Sequence, residues 1–194
     1  MALAMAWGVG LRLYLVVFAV GVLARFDVIS LPDTLSILAN PMVIGAAGLM
    51  AFVEFFADKL PWIDTAWDAV HTFLRIPAGA ALAAGMLGDT GEGVAMAAAL
   101  IGGTLAAGTH FGKAGARAGV NTSPEPFSNV ALSLAEDSLV VAGLALAITH
   151  PLLFVALLLV FVVLLVLALR WLVRGLRRLI AALSRRSTPP QAVR

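Results

Sequence analysis

The chain contains no cysteine. Disulfides, thiolate nucleophiles and cysteine-ligated metal centres are therefore excluded. Charge is scarce too: 12% of the 194 residues are Asp, Glu, Lys or Arg, against about a quarter in ordinary soluble domains. So few charged side chains could not cover a soluble core with a normal surface. No P-loop, no dinucleotide glycine fingerprint and no HExxH sequence occurs. The glycines of GVGLRL at Gly8 open an apolar segment and do not make a nucleotide loop. The three histidines are too scattered along the chain to argue for zinc.

What is abundant is apolar. Hydrophobic residues make up 61% of the chain, and the mean hydropathy is +1.01. Residues 151–169 read PLLFVALLLVFVVLLVLAL with no charge, followed by Arg170. About twenty such residues cross a hydrocarbon core as a helix. The first apolar stretch carries Arg12 inside it and has no clear small-x-small cleavage site after it. It reads as a retained span and not as a signal peptide.

The pattern predicts an all-α, polytopic membrane helix bundle of about six spans: residues 7–24, 41–56, 64–87, 94–111, 130–148 and 151–169. Pro77 inside the third could reduce the count to five by making that segment re-entrant. Residues 1–173 form the bundle, and 174–194 a basic amphipathic and disordered tail. The net charge is +2, and Arg170, Arg174, Arg177, Arg178, Arg185, Arg186 and Arg194 cluster after the last span. The positive-inside rule places that cluster in the cytoplasm, and six spans then place both termini there. Lys59, Lys113 and Arg117 fall inside, Asp33, Asp89 and Glu92 outside, and Arg25 dissents mildly. Nucleic-acid binding is a poor explanation for basic residues next to a membrane helix. In the tail, Leu172, Leu176, Leu179 and Ile180 oppose the arginines, a pattern suited to lying on an anionic leaflet.

Charge inside a membrane is costly and marks function. Glu54 and Asp58 share one helix face. Asp64, Asp68, His71 and Arg75 recur at spacings of four, three and four, which is one stripe. The stripe reaches ~16 Å in, about half the hydrocarbon thickness. His110, Lys113 and Arg117 share a face of the fourth span. Glu136 and Asp137 lie ~14 Å into the fifth, where carboxylates need a cationic partner, a cation or a proton. By depth, Arg12 and Arg75 are the expected partners, and Arg75 is expected to meet Glu136 or Asp137. A purely structural ion network is the competing reading. The two helix–loop–helix units around EFFADKLPWID and HFGKAGARAGVNTSPEPFSN suggest a weak internal repeat, although their residue identities match poorly. The segment AGAALAAG and the segment AAALIGGTLAAG are rich in small residues, which suits close helix packing and, less readily, a substrate groove.

The loop NTSPEPFSN is stiffened by Pro124 and Pro126 and carries Asn121, Ser123, Glu125 and Asn129. Ser128 or Asn129 can cap the fifth span, whose free amides would attract an anion beside Lys113 and Arg117.

The stretch from Glu54 to Arg75, and above all HFGKAGARAGVNTSPEPFSNVALSLAED, resembles a family of small bacterial membrane proteins called domain of unknown function 4126. The resemblance covers about residues 10–169. It implies a bacterial inner-membrane protein and the same prominent residues, and it carries no activity with it.

The function expected is a small inner-membrane transporter or channel for an ion or small solute, with a charge-paired site reached from the cytoplasm. Its candidate residues are Glu54, Asp58, Asp68, His71, Arg75, His110, Lys113, Arg117, Glu136 and Asp137, with Asn121, Ser123, Glu125 and Asn129 of the loop. A membrane-embedded enzyme using a carboxylate-bound divalent cation is the alternative, and a structural or regulatory scaffold the third class. No cofactor is expected beyond such a cation. The expected partners are membrane lipids, the ion or solute, and a second copy of the chain in a homo-oligomer.

Overall fold

The computed structural model describes residues 1–120 and 127–186, and these are helical with no strand among them. In chain order the elements are α1 (Ala2–Leu11), α2 (Leu13–Arg25), a 3-10 helix (Asp33–Ala39), α3 (Pro41–Ala57), α4 (Pro61–Gly85), a short 3-10 turn (Gly88–Thr90), α5 (Glu92–Val120), α6 (Phe127–Thr149) and α7 (Pro151–Arg186). Proline starts α3, α4 and α7, where its missing N–H has no helical partner to lose. The Asn40 side chain accepts from the Met42 amide at 2.8 Å and caps α3. Gly91, at φ 108°, makes the left-handed turn into α5.

The first span departs from expectation. It is two helices, broken at Arg12, whose backbone is extended at φ −141° and ψ 88°. A methyl group on Gly8 would meet Val16 Cγ2 at 2.7 Å, whereas eight residues of straight helix would hold the two positions ~12 Å apart. The chain therefore folds back. α1 runs antiparallel to α4: Met1–Leu3 lie beside Met86 and Leu87, and Ala6 lies beside Gly79. α2 runs antiparallel to α3: Phe18 lies against Gly48, and Gly21 against Leu38 and Ile44. Thr34 Oγ1 donates to the Gly85 carbonyl at 2.5 Å and ties the segment after α2 to the end of α4. Both outer ends of the α1–α2 pair thus sit at one end of the bundle. Arg12 is the tip of a helical hairpin, ~17 Å along α1 from its start. α1 is buried from Ala4 to Leu11 and packs on α4, α5 and α6.

Among the described residues, three helices are long and apolar enough to cross a membrane: Glu92–Val120, Phe127–Thr149 and Pro151–Gly175; the bent pair Asp33–Ala39 and Pro41–Ala57 makes a fourth if counted as one span. The described chain is all-α and polytopic. α4 is 25 residues long and continues through Pro77. Its charges point inward: Asp64, Asp68, His71 and Arg75 are buried, while Val70, Phe73 and Leu74 are exposed. α5 extends nine residues beyond the expected end of its span and carries Lys113 and Arg117 in its last turns.

Distribution of polarity is inverted relative to a soluble protein. The largest fully buried side chains include Arg12, Arg75 and Arg117, while Phe52, Phe56, Leu100, Ile101 and Leu139 are exposed. Lipid is the solvent that accepts such a surface.

The small residues of α4 and α5 serve close packing. A methyl on Gly79 would strike Ala106, and one on Gly102 would strike Ala83 and meet the Gly79 carbonyl at 2.7 Å. No room for a groove is left between these backbones there.

The chain divides into two compact units, Met1–Val155 and Ala156–Arg194. In the second, α7 continues as helix through Arg186, past the end of its apolar run. The side chains of Leu172, Leu176, Leu179 and Ile180 lie outside the described ones.

Candidate functional site

Six carboxylates and four permanent cations converge around the Arg12 tip. Glu54 and Asp58 come from the last turn of α3, Asp64 and Asp68 from the first turns of α4, and Glu136 and Asp137 from α6. The cations are Arg12, Arg75 of α4, and Lys113 and Arg117 of α5. Apart from Asp137, whose side chain is 22% exposed, all of these residues are buried.

The network has two limbs. In the first, Arg75 donates to Glu54 Oε1 and to Asp68 Oδ1, each at 2.7 Å, and to His110 Nδ1 at 3.0 Å. In the second, Asp58 Oδ2 takes Arg12 in a short ion pair, Lys113 Nζ at 3.1 Å and Arg117 Nη2 at 3.4 Å. Arg117 also donates to the Asp58 carbonyl at 2.6 Å and to Glu136 Oε2 at 2.7 Å, and lies 3.2 Å from Asp64 Oδ1. Arg12 Nε lies 2.8 Å from Asp137 Oδ1, and Arg12 Nη2 donates to Ser133 Oγ at 2.8 Å. Lys113 joins the limbs, with Asp68 Oδ1 at 3.3 Å, and donates to the Leu11 carbonyl at the hairpin tip. Desolvating one ion costs several kcal/mol, and only a set of close partners like this offsets it.

Hydrogen bonds also set both buried histidines. His71 Nδ1 lies 2.7 Å from the Trp67 carbonyl, which can only accept, so Nδ1 carries a proton, and Nε2 shares a hydrogen bond with Tyr14 Oη at 3.1 Å. The His71 ring stacks on Trp67 at 4.2 Å. For His110 the donor is Arg75, so Nδ1 accepts and Nε2 carries the proton, donating to Thr72 Oγ1 at 2.6 Å. Thr72 passes the chain on to the Asp68 carbonyl at 2.9 Å. The His110 ring is neutral in this arrangement, and each nitrogen of both rings already has a hydrogen-bond partner.

Lys59, in the turn between α3 and α4, donates to the Phe55 carbonyl at 2.8 Å and lies over the Phe55 ring. Burial holds its ammonium below the usual lysine range, against the opposing pull of Asp137.

Nine of the ten expected bundle residues, Glu54, Asp58, Asp68, Arg75, His110, Lys113, Arg117, Glu136 and Asp137, are in this network, while His71 is buried on the α4 stripe with Trp67 and Tyr14 as its partners. The expected pairing of Arg75 with Glu136 or Asp137 is corrected. Arg75 takes Glu54 and Asp68, while Glu136 and Asp137 take Arg117 and Arg12. Depth alone admitted either pairing; the rotation of α4 about its axis decided it. Asn129 is buried in the first turn of α6, and Ser128 is also inside that helix, so neither is the residue preceding it. Asn121, Ser123, Glu125, Pro124 and Pro126 lie outside the described residues. Sequence reasoning missed Ser133 and Tyr14, which carry no charge to mark them. It placed Arg12 only as a partner by depth. A lone arginine in an apolar stretch, between two glycines and a run of branched residues, was the available signal.

Asp58, Asp64 and Asp68 place one carboxylate oxygen each within 4.8 Å of the others, which suits a divalent cation in spacing and hardness. The Lys113 ammonium already lies between Asp58 and Asp68, and Arg117 between Asp58 and Asp64. These two side chains supply the positive charge that a metal would bring.

A family model described as Domain of unknown function (DUF4126) matches residues 1–171, and the chain belongs to that bacterial membrane-protein family. No curated protein and no solved structure matches the chain.

Proposed function

We propose that this DUF4126 protein is a small inner-membrane transporter or channel for an ion or small solute, with its charge-paired site reached from the cytoplasmic side. The observation that carries the reading is the break at Arg12. A helix interrupted at membrane depth is tolerated where it is buried in protein or lines a polar path, and discontinuous helices are how many transporters build substrate and ion sites. Here the interruption delivers an arginine to a buried network.

Charge balance narrows the class. Arg12, Arg75, Lys113 and Arg117 supply four positive charges, against six carboxylates. Two negative charges are in excess, which favours a cation or protons as the transported or coupled species.

Topology belongs to the same proposal. With the arginine-rich segment after residue 169 in the cytoplasm, α3 to α7 make five crossings and α1–α2 dips in from the periplasmic side. In this proposed topology one of the six crossings expected is lost and Met1 lies at the periplasmic face. The turn at Lys59 and the network's wider end then face the cytoplasm. The weak repeat of helix–loop–helix units would pair α3–α4 with α5–α6.

A membrane-embedded enzyme is the second reading, supported by the Asp58, Asp64 and Asp68 spacing. A scaffold is the third, supported by the density of ion pairs. Flux measurements in proteoliposomes across protons, metal cations, anions and small phosphorylated solutes separate them. Transport requires flux that falls when Arg12 or Glu136 is neutralised. Flux unchanged in both variants would sink the site, and no flux with any of these species would sink the reading.

A further inference from the structure

Beyond the ion network, the bundle carries a cleft of about 590 Å³ bounded by α2, α3 and α6. Ala51, Phe55, Val141 and Ala145 supply apolar walls, and Glu54 and Asp137 stand at its charged end. That volume suits a small organic molecule, and such sites are apolar with a few placed polar groups.

The hydrogen-bonding capacity left at the charged end is mostly that of acceptors. Glu54 is 1% exposed; its Oε1 is held by Arg75, and its Oε2 has no hydrogen-bond partner. Asp137 places Oδ1 against Arg12, and its Oδ2 is likewise without a hydrogen bond. Arg12 also lines the cleft; its Nη atoms are engaged by Asp58 and Ser133, and its Nε, which makes no hydrogen bond, lies 2.8 Å from Asp137 Oδ1. The cleft thus offers two acceptor oxygens on carboxylates against one guanidinium already ion-paired. An anion would meet two carboxylates there, and a neutral apolar molecule would leave two buried carboxylate oxygens unsatisfied.

We propose that this cleft binds a hydrophobic organic cation bearing N–H donors, a protonated aryl or alkyl amine. Its ammonium sits between Glu54 Oε2 and Asp137 Oδ2, and its apolar body lies against Ala51, Phe55, Val141 and Ala145. The inference names a substrate class for the transport reading and rests on that reading for its physiological sense. Binding is therefore measured apart from flux.

The experiment uses the full chain in lipid nanodiscs at neutral pH, with radiolabelled 2-phenylethylamine as probe and 2-phenylethanol as the neutral isostere. The expected result is saturable amine binding that the alcohol does not compete away. Asp137→Asn should weaken it by about tenfold, the effect of losing one charge-assisted bond. Ala142→Trp, on the exposed face of α6 that lines the cleft, should abolish it by filling the space while leaving the ion network intact. Competition by the alcohol equal to that of the amine would overturn the proposal, because the site would then read shape alone. Unchanged affinity in a folded Asp137→Asn protein, unchanged affinity in Ala142→Trp, or no saturable amine binding would overturn it equally. Ion flux without amine binding would sink this inference and leave the transport reading standing. Amine binding without flux of any solute would do the reverse.

Discussion

Arg12 and Asp58 are separated by 46 positions in the sequence and form a direct, fully buried ion pair. One sits at the tip of the α1–α2 hairpin and the other at the C-cap of α3. Their contact joins the only extended residue between two apolar helices to the carboxylate that also holds Lys113 and Arg117. It is the point at which the fold-back of the chain and the charge network become one structure.

The hairpin predicts a labelling pattern. The native chain has no cysteine, so single cysteines report position cleanly. Ala2→Cys, Ser36→Cys and Gly88→Cys should react with an impermeant maleimide from the periplasmic side, and Lys59→Cys only after the inner face is opened. Ala2→Cys labelled from the cytoplasm, with Ser36→Cys outside, would restore a straight first crossing.

Removing Arg75 should destabilise the bundle strongly, since Glu54 would lose its close partner and Asp68 would keep only Lys113. Breaking a buried pair from one side costs about 3–5 kcal/mol. Arg75→Met should lower the unfolding temperature in detergent, and adding Glu54→Gln should recover part of the loss. Recovery from Glu136→Gln in place of Glu54→Gln would mean the pairing is wrong.

Close approach of α4 and α5 is testable at glycine. Gly102→Leu should cost about 1–3 kcal/mol through overpacking against Ala83 and the Gly79 carbonyl. Gly115→Leu, where an added methyl meets nothing within 4 Å, should be nearly neutral. Equal losses in thermal unfolding at the two sites would contradict the close packing.

Lys113 should compete with metal at the aspartate triad. Its ammonium lies 3.1 Å from Asp58 and 3.3 Å from Asp68. Lys113→Met should therefore raise the affinity for Mn²⁺, read by electron paramagnetic resonance, by about tenfold or more, as expected when a charge leaves a shared carboxylate site. Tight Mn²⁺ binding already present with Lys113 in place, and unaltered by its loss, would favour the enzyme reading.

Much of this protein is determined by local rules that one chain carries by itself. Proline and asparagine at helix starts and long apolar runs specify where α3 and α7 begin. Helical spacing places Asp64, Asp68, His71 and Arg75 on one stripe, and His110, Lys113 and Arg117 on another. Both stripes are buried as that spacing requires. Periodicity and rise supply rotation and depth along a single helix, and nothing more. Which stripe faces which depends on how each helix is turned against its neighbours. Arg75 thus chose Glu54 and Asp68 over two carboxylates at similar depth. The break at Arg12 was equally beyond reach of hydropathy, because residues on both sides are apolar and a span that turns back has the composition of one that continues. Only tertiary packing decided it: α1 is accepted among α4, α5 and α6 where Gly10, Gly79 and Gly102 let backbones touch. The arginine left at the turn is tolerated there because Asp58, Ser133 and Asp137, from two other helices, meet it at that depth.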